Sequence, residues 1–390
     1  MTILHVTPCL APAWAYGRIA QDVHALARAQ AAAGHRVLVL TTDALAPHER
    51  LVAGDAVVDD VHVVRVRNLT GAVRTWLDLS SPRGFARHAR RLLAEHPVDI
   101  VHLHELATVE NVAVLGVVPT STPVVVSPHD EAGLTARRGR LRAHWDRRVL
   151  ARVCHRAAGV IGASHTELEA AARAWRSAGC ATPRRTALIP NGATRLPGAD
   201  SDARRTSDAP IILWIGRLST PTPLASLLPT VAELRRDRPA VHLHVVGGDH
   251  GGRAEADALA HTLGIASAVT WLGHVSLDSL GTHLAHADVV ALPAGSDPYG
   301  DLSVSALAAG TTVVVDTHEG NVRADDQRAL TPTNGSVVGW RDAFIAHLDA
   351  HGQGDTLRET ARATAARCTW PAVATAMIEE YQAVATHLRA

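Results

Sequence analysis

The sequence predicts an α/β protein made of two doubly wound, Rossmann-like domains of similar size that face each other across a cleft. Apolar, β-branched segments alternate with amphipathic helical segments, which is the pattern of parallel sheets covered by helices. The alternation is lost over residues 193–210, where polar and turn-forming residues dominate, and it restarts at residue 211. A chain of 390 residues also has the length of two or three domains.

The first half of the chain opens with a strand, a helix and a second strand. Residues 2–8 alternate as in a strand, residues 19–33 have helical spacing that stops at Gly34, and residues 37–41 are apolar and β-branched. The same reasoning predicts, in order, a strand at 61–66, a helix at 83–95, and strands at 99–103, 123–127, 159–163 and 186–189.

The second half repeats this order after the break. Its predicted strands are 211–215, 241–246, 269–272 and 289–292, and its predicted helices are 224–237, 253–263 and 277–285. Ligands of such sheets bind beyond the carboxyl ends of the strands, where the strand order reverses. The cleft between the two domains is therefore the expected site.

Composition restricts the function classes. The 38 basic and 38 acidic residues balance, which argues against a nucleic-acid-binding protein with a basic surface. The chain lacks the roughly 18-residue apolar run that a membrane-spanning helix needs, and its first residues are typical of a strand rather than of a secretory signal. Its four cysteines are widely spaced, which favours a cytoplasmic protein without a disulfide framework or a cysteine zinc site. The basic residues are all arginine, since the sequence contains no lysine.

Two glycine-containing segments of the second half are candidates for a phosphate site. The loop 247–252 follows a strand but does not match the G-x-G-x-x-G dinucleotide pattern, and an ordinary turn is the alternative. Residues 292–315 predict a strand, a loop, a helix that begins near Gly300 and Asp301, and another strand. The free N–H groups and the dipole of such a helix start suit a diphosphate, although they also fit ordinary capping. Asp297 lies just ahead, where its carboxylate could accept hydrogen bonds from sugar hydroxyls.

Eight short motifs occur in the same order as in one enzyme family. They are Gly34–Val37, Asp99–His104, His129–Asp130, Ile189–Gly192, Ile215–Leu218, Trp271–Val275, Ala287–Val289 and Thr369–Tyr381. Over nearly its full length the sequence therefore resembles the GT-B glycosyltransferases of family 4, which are retaining enzymes that use nucleotide-sugar donors. The resemblance implies an acceptor-binding domain at 1–192, a linker at 193–209, a nucleotide-sugar-binding domain at 210–370, and a C-terminal helix at 371–390 that packs back on the first domain.

The resemblance also implies the roles of individual residues. The catalytic residues that it predicts are Arg217, Asp297 and His129. The other donor-binding residues that it predicts are Gly216, Thr222, Gly247, His274, Val275, Tyr299, Gly300, Asp301, Leu302 and Ser305. The acceptor-binding residues that it predicts are Tyr16, Gly17, Arg18, His104 and Asp130. Arg217 and the helix start would stabilise charge on the departing diphosphate, and the leaving phosphate oxygen would take the acceptor proton.

Several positions depart from the family pattern. The family's two glutamates are represented by Asp297 and Ser305, so the ribose contact becomes a neutral hydrogen bond of about 1 kcal/mol instead of about 1.5–3 kcal/mol. Thr222 stands where the family has a lysine that holds the diphosphate, and Asp301 replaces an apolar residue beside the donor. These changes indicate either a site adapted to an unusual donor sugar or a relative that has lost catalysis. For Asp301, capping of its helix is the alternative.

We expect no cofactor besides the nucleotide-sugar co-substrate, and no metal ion. Two His-x-His pairs, at 102–104 and 242–244, have a plausible zinc geometry, but chance pairs are expected among 24 histidines. Residues 136–156 carry eight arginines and only Asp146 as an acidic residue. This segment could contact an anionic membrane weakly, or it could be the solvated face of a core helix. A homodimer is left open.

The leading hypothesis is a metal-independent, retaining glycosyltransferase of the hexosyltransferase type. It would move a sugar from a nucleotide-diphosphate sugar to a small soluble acceptor, in the biosynthesis of an antibiotic-type specialised metabolite. The alternatives are a catalytically impaired relative that still binds a nucleotide sugar, and a lipid or cell-envelope glycosyltransferase.

Overall fold

The structure, a computed structural model, divides the chain into two compact units. The first comprises residues 1–192 and 370–390, and the second comprises residues 193–369. The described residues are 1–13, 19–46, 49–69, 80–129, 140–181, 183, 185–192, 196, 198–199, 209–293, 301–316, 329–349 and 354–389.

The first unit, as described, contains an eight-stranded sheet with helices packed against it. Its elements are β1 (Thr2–Val6), α1 (Ile19–Ala32), β2 (Arg36–Thr42), β3 (Ala44–Ala46), β4 (Glu49–Arg50), β5 (Gly54–Val58), β6 (Val61–Val66), α2 (Phe85–Glu95), β7 (Ile100–His104), α3 (Val109–Leu115), β8 (Val124–Ser127), α4 (Arg140–Arg156), β9 (Gly159–Gly162), α5 (His165–Ser177) and β10 (Arg185–Leu188). The sheet order is β10-β9-β8-β7-β1-β2-β6-β5, and only β5 runs antiparallel to its neighbour. The order reverses between β1 and β7, which is where a doubly wound sheet leaves a crevice.

The second unit, as described, contains a six-stranded parallel sheet. Its elements are β11 (Ile211–Ile215), β12 (Leu218–Ser219), α6 (Leu224–Asp237), β13 (His242–Val246), β14 (Asp249–His250), α7 (Arg253–Thr262), β15 (Val269–Gly273), α8 (Leu277–His286), β16 (Val289–Leu292), α9 (Asp301–Ala308), β17 (Thr312–Asp316), β18 (Leu330–Thr333), α10 (Val337–Asp349) and α11 (Gly354–Ala366). The sheet order is β15-β13-β11-β16-β17-β18, with the reversal between β11 and β16.

Both sheets are buried on their two faces. In β1, Leu4 packs into one apolar cluster and Ile3 packs into the cluster on the opposite face. In β11, Trp214 and Leu213 are divided between two clusters in the same way. Strands buried on both faces are almost continuously apolar, so the sequence pattern identified them. The predicted class, two doubly wound α/β domains, is confirmed.

The last helix, α12 (Trp370–Arg389), belongs to the first unit. Met377 and Tyr381 pack into the same apolar cluster as Ile3. The Arg185 guanidinium donates two hydrogen bonds, of 2.8 and 2.9 Å, to the Glu380 carboxylate. This paired contact and the apolar seam attach the helix to the sheet of the first unit.

Turn residues explain where the predicted boundaries were right and where they were wrong. The helix predicted over 83–95 begins at Phe85, because Gly84 takes the N-cap position with a left-handed φ of 75°. The hairpin of β5 and β6 was missed, because its turn residues Asp59 and Asp60, at φ of 50° and 63°, are not the usual asparagine–glycine pair.

Among the helices described, none combines the length and the hydropathy that crossing a bilayer requires.

Candidate functional site

A cavity of about 690 Å³ lies in the second unit, beyond the carboxyl ends of β11 and β13. The residues that were predicted to bind the donor and that line this cavity are Gly216, Arg217, Gly247, His274, Val275 and Leu302. They come from loops after three neighbouring strands and from α9. The structure thus places them together at the edge of the sheet where ligands of doubly wound folds bind.

Two glycines bring strand ends into direct contact in the wall of this cavity. The Gly216 N–H donates to the Val246 carbonyl at 3.0 Å, and the Gly247 N–H donates to the Gly273 carbonyl at 2.8 Å. Gly247 has a φ of 147°, and a Cβ built on it would lie 1.7 Å from the Gly216 carbonyl oxygen. Only glycine fits such a close approach of two backbones. This contact fixes the point at which the chain leaves β11 toward Arg217.

A Gly247→Ala variant is expected to lose stability and donor binding together. Its Cβ must push Gly216 away, and its backbone must stay in a region that only glycine adopts easily, so we expect a loss of more than about 2 kcal/mol. Urea unfolding and calorimetric titration with UDP measure the two effects. Gly248→Ala is the matched control, since its Cβ would meet nothing closer than the His250 ring at 3.4 Å. Equal midpoints of unfolding for the two variants would contradict this account.

The Arg217 side chain is exposed and lines the cavity. Within the described part of the chain, no hydrogen bond or ion pair engages its guanidinium. None of the described residues that line the cavity is acidic. An anion that enters would therefore meet a positive, fork-shaped donor group, and no described residue of the cavity wall offers a competing carboxylate.

Thr222 lies next to the cavity, but its side chain forms a hydrogen bond elsewhere. It is buried, and its hydroxyl accepts a hydrogen bond from the Leu224 N–H at 3.3 Å at the start of α6. Its neighbour Pro223 lines the cavity, whereas Thr222 is not part of the wall. The hydroxyl predicted to contact a phosphate thus accepts a hydrogen bond from the backbone at the start of α6.

His250 is a cavity residue that was not predicted. It lies in β14, which pairs with β12 so that His250 stands opposite Ser219, two residues beyond Arg217. Asp249 shapes the turn by accepting hydrogen bonds from the Gly251 and Arg253 N–H groups, and these bonds lower the pKa of its carboxyl group. The signal was the sequence Gly-Gly-Asp-His after a buried strand, which an ordinary turn explained equally well.

Helix α9 follows β16 along the chain of the second unit. Helix α9 begins at Asp301, as expected, and Leu302 reaches the cavity. Ser305 lies three residues on, on the same side of the helix, and is partly exposed. The predicted site residues that lie outside the described part of the chain are Tyr16, Gly17, Arg18, Asp130, Asp297, Tyr299 and Gly300, and the side chain of Asp301 lies outside it too.

Four histidines lie close together at the reversal point of the first sheet. His5 is in β1, His102 and His104 are in β7, and His129 follows β8. His5 Nδ1 is 2.9 Å from His104 Nε2, and His104 Nδ1 is 2.9 Å from His129 Nε2. His104, predicted to bind the acceptor, therefore has both ring nitrogens engaged by other histidines.

Burial keeps these imidazoles neutral. Loss of hydration lowers the pKa of His5 and the pKa of His129 to about 4. It also lowers the pKa values of His102 and His104 well below the usual range, and the neighbouring imidazoles lower them further. At pH 7 each ring therefore carries one N–H group and one lone pair.

The cluster has the spacing of a metal site but the bonding of a proton network. Ring nitrogens of His5, His102 and His104 lie within 4.8 Å of one another. Each of their six ring nitrogens already has a hydrogen-bond partner, at distances of 2.6–2.9 Å. These hydrogen bonds engage every ring nitrogen of the three histidines without a cation. They support the prediction that the protein binds no metal ion, which stays a prediction.

A buried carboxylate holds the backbone of His129. The residue has a left-handed φ of 51°, and its N–H donates to Glu167 Oε1. Glu167 Oε2 accepts from the Ala163 N–H, and the Glu167 N–H donates to the Ser164 hydroxyl at 2.9 Å. Ser164 and Glu167 have the spacing of a capping box, a signal that the sequence offered and that was not used.

Two family profiles match the chain. The profile described as "Glycosyl transferase 4-like domain" matches residues 18–192, and the one described as "Glycosyl transferases group 1" matches residues 209–350. Together the two matches span most of both units. The chain belongs to family 4 of the GT-B glycosyltransferases. The predicted resemblance is thereby confirmed.

Two D-inositol 3-phosphate glycosyltransferases are similar to part of this family 4 chain. That of Geodermatophilus obscurus is 30% identical over 228 residues, which cover 54% of this chain and 50% of the relative. That of Nocardia farcinica is 32% identical over 214 residues, which cover 50% and 47%. The chain spans about half the length of the curated relatives it matches.

Solved structures share the GT-B fold of this family 4 chain. Sucrose-phosphate synthase from Thermosynechococcus elongatus superposes with a TM-score of 0.66 at 19% identity, over 98% of both chains. Anabaena HepE in complex with UDP superposes with a TM-score of 0.65 at 17% identity, over 98% of this chain and 100% of HepE. At such identities the likeness shows the fold alone.

Proposed function

We propose that this chain is a retaining glycosyltransferase that moves a sugar from a nucleotide-diphosphate sugar to a small soluble acceptor. The observation that carries the proposal is the cavity of the second unit, in which the Arg217 guanidinium has no counter-charge among the described residues. Membership of the glycosyltransferase family supports the reaction type. The complex of HepE with UDP supports a uridine nucleotide as the first donor to test.

The chemistry follows from where charge develops. When the glycosidic bond to the phosphate breaks, negative charge grows on the diphosphate oxygens. In this proposal Arg217, which lines the cavity, donates to these oxygens, and the first N–H groups of α9, at Asp301 and Leu302, supply a positive helix end. The acceptor oxygen attacks from the face of the leaving group, which retains the configuration, and its proton passes to the leaving phosphate. This scheme needs no metal ion.

The setting and the sugar are proposed from the altered donor motif. Asp297 and Ser305 replace the two glutamates of the family pattern, and Asp301 adds a carboxylate beside them. A carboxylate near a diphosphate is tolerated more easily if it faces a hydroxylated or amino-substituted sugar. We therefore expect an unusual donor sugar, as in specialised-metabolite biosynthesis.

One observation favours a second candidate function, a relative that binds nucleotide sugars without turning them over. Thr222 replaces the family lysine, does not line the cavity, and accepts a hydrogen bond on its hydroxyl from the Leu224 N–H. Half of the positive charge that the family pattern directs at the diphosphate is thus missing.

A donor assay separates the two functions. The purified chain is incubated with UDP-, GDP- and dTDP-sugars, and nucleoside diphosphate release is measured with and without EDTA, while calorimetry measures binding. We expect binding and slow release that EDTA does not reduce. Binding without release would support the non-catalytic candidate, and failure to bind any donor would overturn both functions.

A further inference from the structure

Seven polar side chains of the first unit form one continuous hydrogen-bonded network. Its first branch joins Gln30 to His129 through two imidazoles. Gln30 Oε1 lies 2.7 Å from His5 Nε2, and His5 Nδ1 lies 2.9 Å from His104 Nε2. His104 Nδ1 in turn lies 2.9 Å from His129 Nε2. The His5 and His104 rings are thus each hydrogen-bonded through both of their nitrogens.

The second branch starts from the same amide. Gln30 Nε2 lies 3.4 Å from the Tyr381 hydroxyl, which lies 2.6 Å from His102 Nδ1. His102 Nε2 lies 2.9 Å from the Ser127 hydroxyl. An amide has one donating and one accepting end, so the direction of hydrogen bonding in one branch determines the direction in the other.

The short contact of Tyr381 with His102 determines that direction. O–H donors form shorter hydrogen bonds than N–H donors, whose distances centre on about 2.9 Å. At 2.6 Å the Tyr381 hydroxyl donates to His102 Nδ1, and at 2.9 Å His102 Nε2–H donates to Ser127. The phenol oxygen is then free to accept from the Gln30 amide N–H, which leaves Gln30 Oε1 to accept from His5.

The direction passes along the first branch because each neutral ring has one N–H and one lone pair. His5 Nε2–H donates to Gln30, so His5 Nδ1 accepts from His104 Nε2–H. His104 Nδ1 then accepts from His129 Nε2–H. We propose that Gln30, His5, His104 and Tyr381 are positioning residues that hold His129 as its Nε2–H tautomer, with Nδ1 unprotonated.

This tautomer defines what the adjoining cavity can bind. His129 lines a cavity of about 20 Å³ together with the carboxylate residues Asp22 and Glu167. Within the described part of the chain, no group hydrogen-bonds His129 Nδ1. An Nδ1 lone pair accepts a hydrogen bond, so it selects a group that donates one, and a space of this size holds a hydroxyl. On the basis of the proposed function, that hydroxyl belongs to a sugar or an acceptor alcohol rather than to a phosphate.

The protonation of His129 can be read directly from its ring nitrogens. Protein labelled with ¹⁵N-histidine gives long-range ¹H–¹⁵N correlation spectra, in which protonated and unprotonated nitrogens have different shifts, and a His129→Gln variant assigns the His129 signals. We expect a protonated Nε2 and an unprotonated Nδ1 at pH 7.5. A protonated Nδ1 in the wild-type protein would overturn the proposal.

The positioning role is tested by cutting the network far from His129. Tyr381→Phe removes the hydroxyl that orients Gln30, so we expect a mixture of both His129 tautomers. His347→Gln is the control, since His347 is a partly buried histidine of the second unit whose ring contacts Thr331 at 2.9 Å, and it should leave the His129 tautomer unchanged. A single, wild-type tautomer in Tyr381→Phe would overturn the proposal. If Tyr381→Phe does not fold, the wild-type spectrum still decides.

The spectra are recorded without substrate, so they decide the tautomer whether or not the chain transfers a sugar. Absence of turnover would count against the proposed function alone.

Discussion

An Arg217→Ala variant is expected to lose about 10²–10³-fold in kcat, because removal of one positioned donor from a developing negative charge has a cost of that size. Arg217 lines the cavity of the second unit, where none of the described lining residues could replace its permanent charge. Release of nucleoside diphosphate from the donor sugar measures the effect. The kcat of Arg217→Lys should lie between those of the wild type and Arg217→Ala, since lysine keeps the charge but loses the paired geometry of the guanidinium.

The matched control for this prediction is Arg236→Ala. Arg236 is exposed on α6 of the same unit and contacts Glu233 at 2.8 Å, away from the cavity. Exposed ion pairs of this kind contribute little, so kcat and stability should remain close to wild type. A wild-type kcat in Arg217→Ala would contradict the role of Arg217 on which the proposed function depends.

The stability of the first unit is expected to fall as the pH drops from about 6.5 toward 4. Burial lowers the pKa of His5 and of His129 to about 4, below the value of about 6.5 that these rings have in the unfolded chain. Between these values the unfolded chain binds more protons than the folded chain, so protons favour unfolding, whereas above pH 6.5 the effect is absent. For His5 alone the free energy of unfolding should decrease by about 2 kcal/mol at pH 5.

Urea unfolding at pH 7.5, 6 and 5 measures this dependence. A His5→Gln variant should have a weaker pH dependence, because one of the neutral buried rings is gone. His261→Gln should behave like the wild type, because the His261 side chain is 70% exposed. A free energy of unfolding that stays constant between pH 7.5 and pH 5 would contradict the low pKa values.

Several residues that the sequence predicted at the donor line one cavity of the second unit, but the contacts of others differ from the prediction. The resemblance to the family motifs predicted Arg217, Gly216 and Gly247 as site residues, and all three line the cavity. Thr222 was placed at the phosphate by its position in a motif, yet it does not line the cavity and its hydroxyl accepts from the Leu224 N–H. His250 was missed because the pairing of β12 with β14, which brings it beside Ser219, joins segments about 30 residues apart.

The sequence by itself determined the two α/β units, most of their strands and helices, and the family, because hydrophobic periodicity, turn residues and short motifs are properties of neighbouring residues. Only the tertiary structure decided the histidine network. The Tyr381 hydroxyl contacts Gln30, which is 351 positions away in the sequence. The same hydroxyl contacts His102, which is 279 positions away. Such contacts depend on how α1, β7 and α12 pack around one another, and packing at this distance leaves no periodic trace in the sequence.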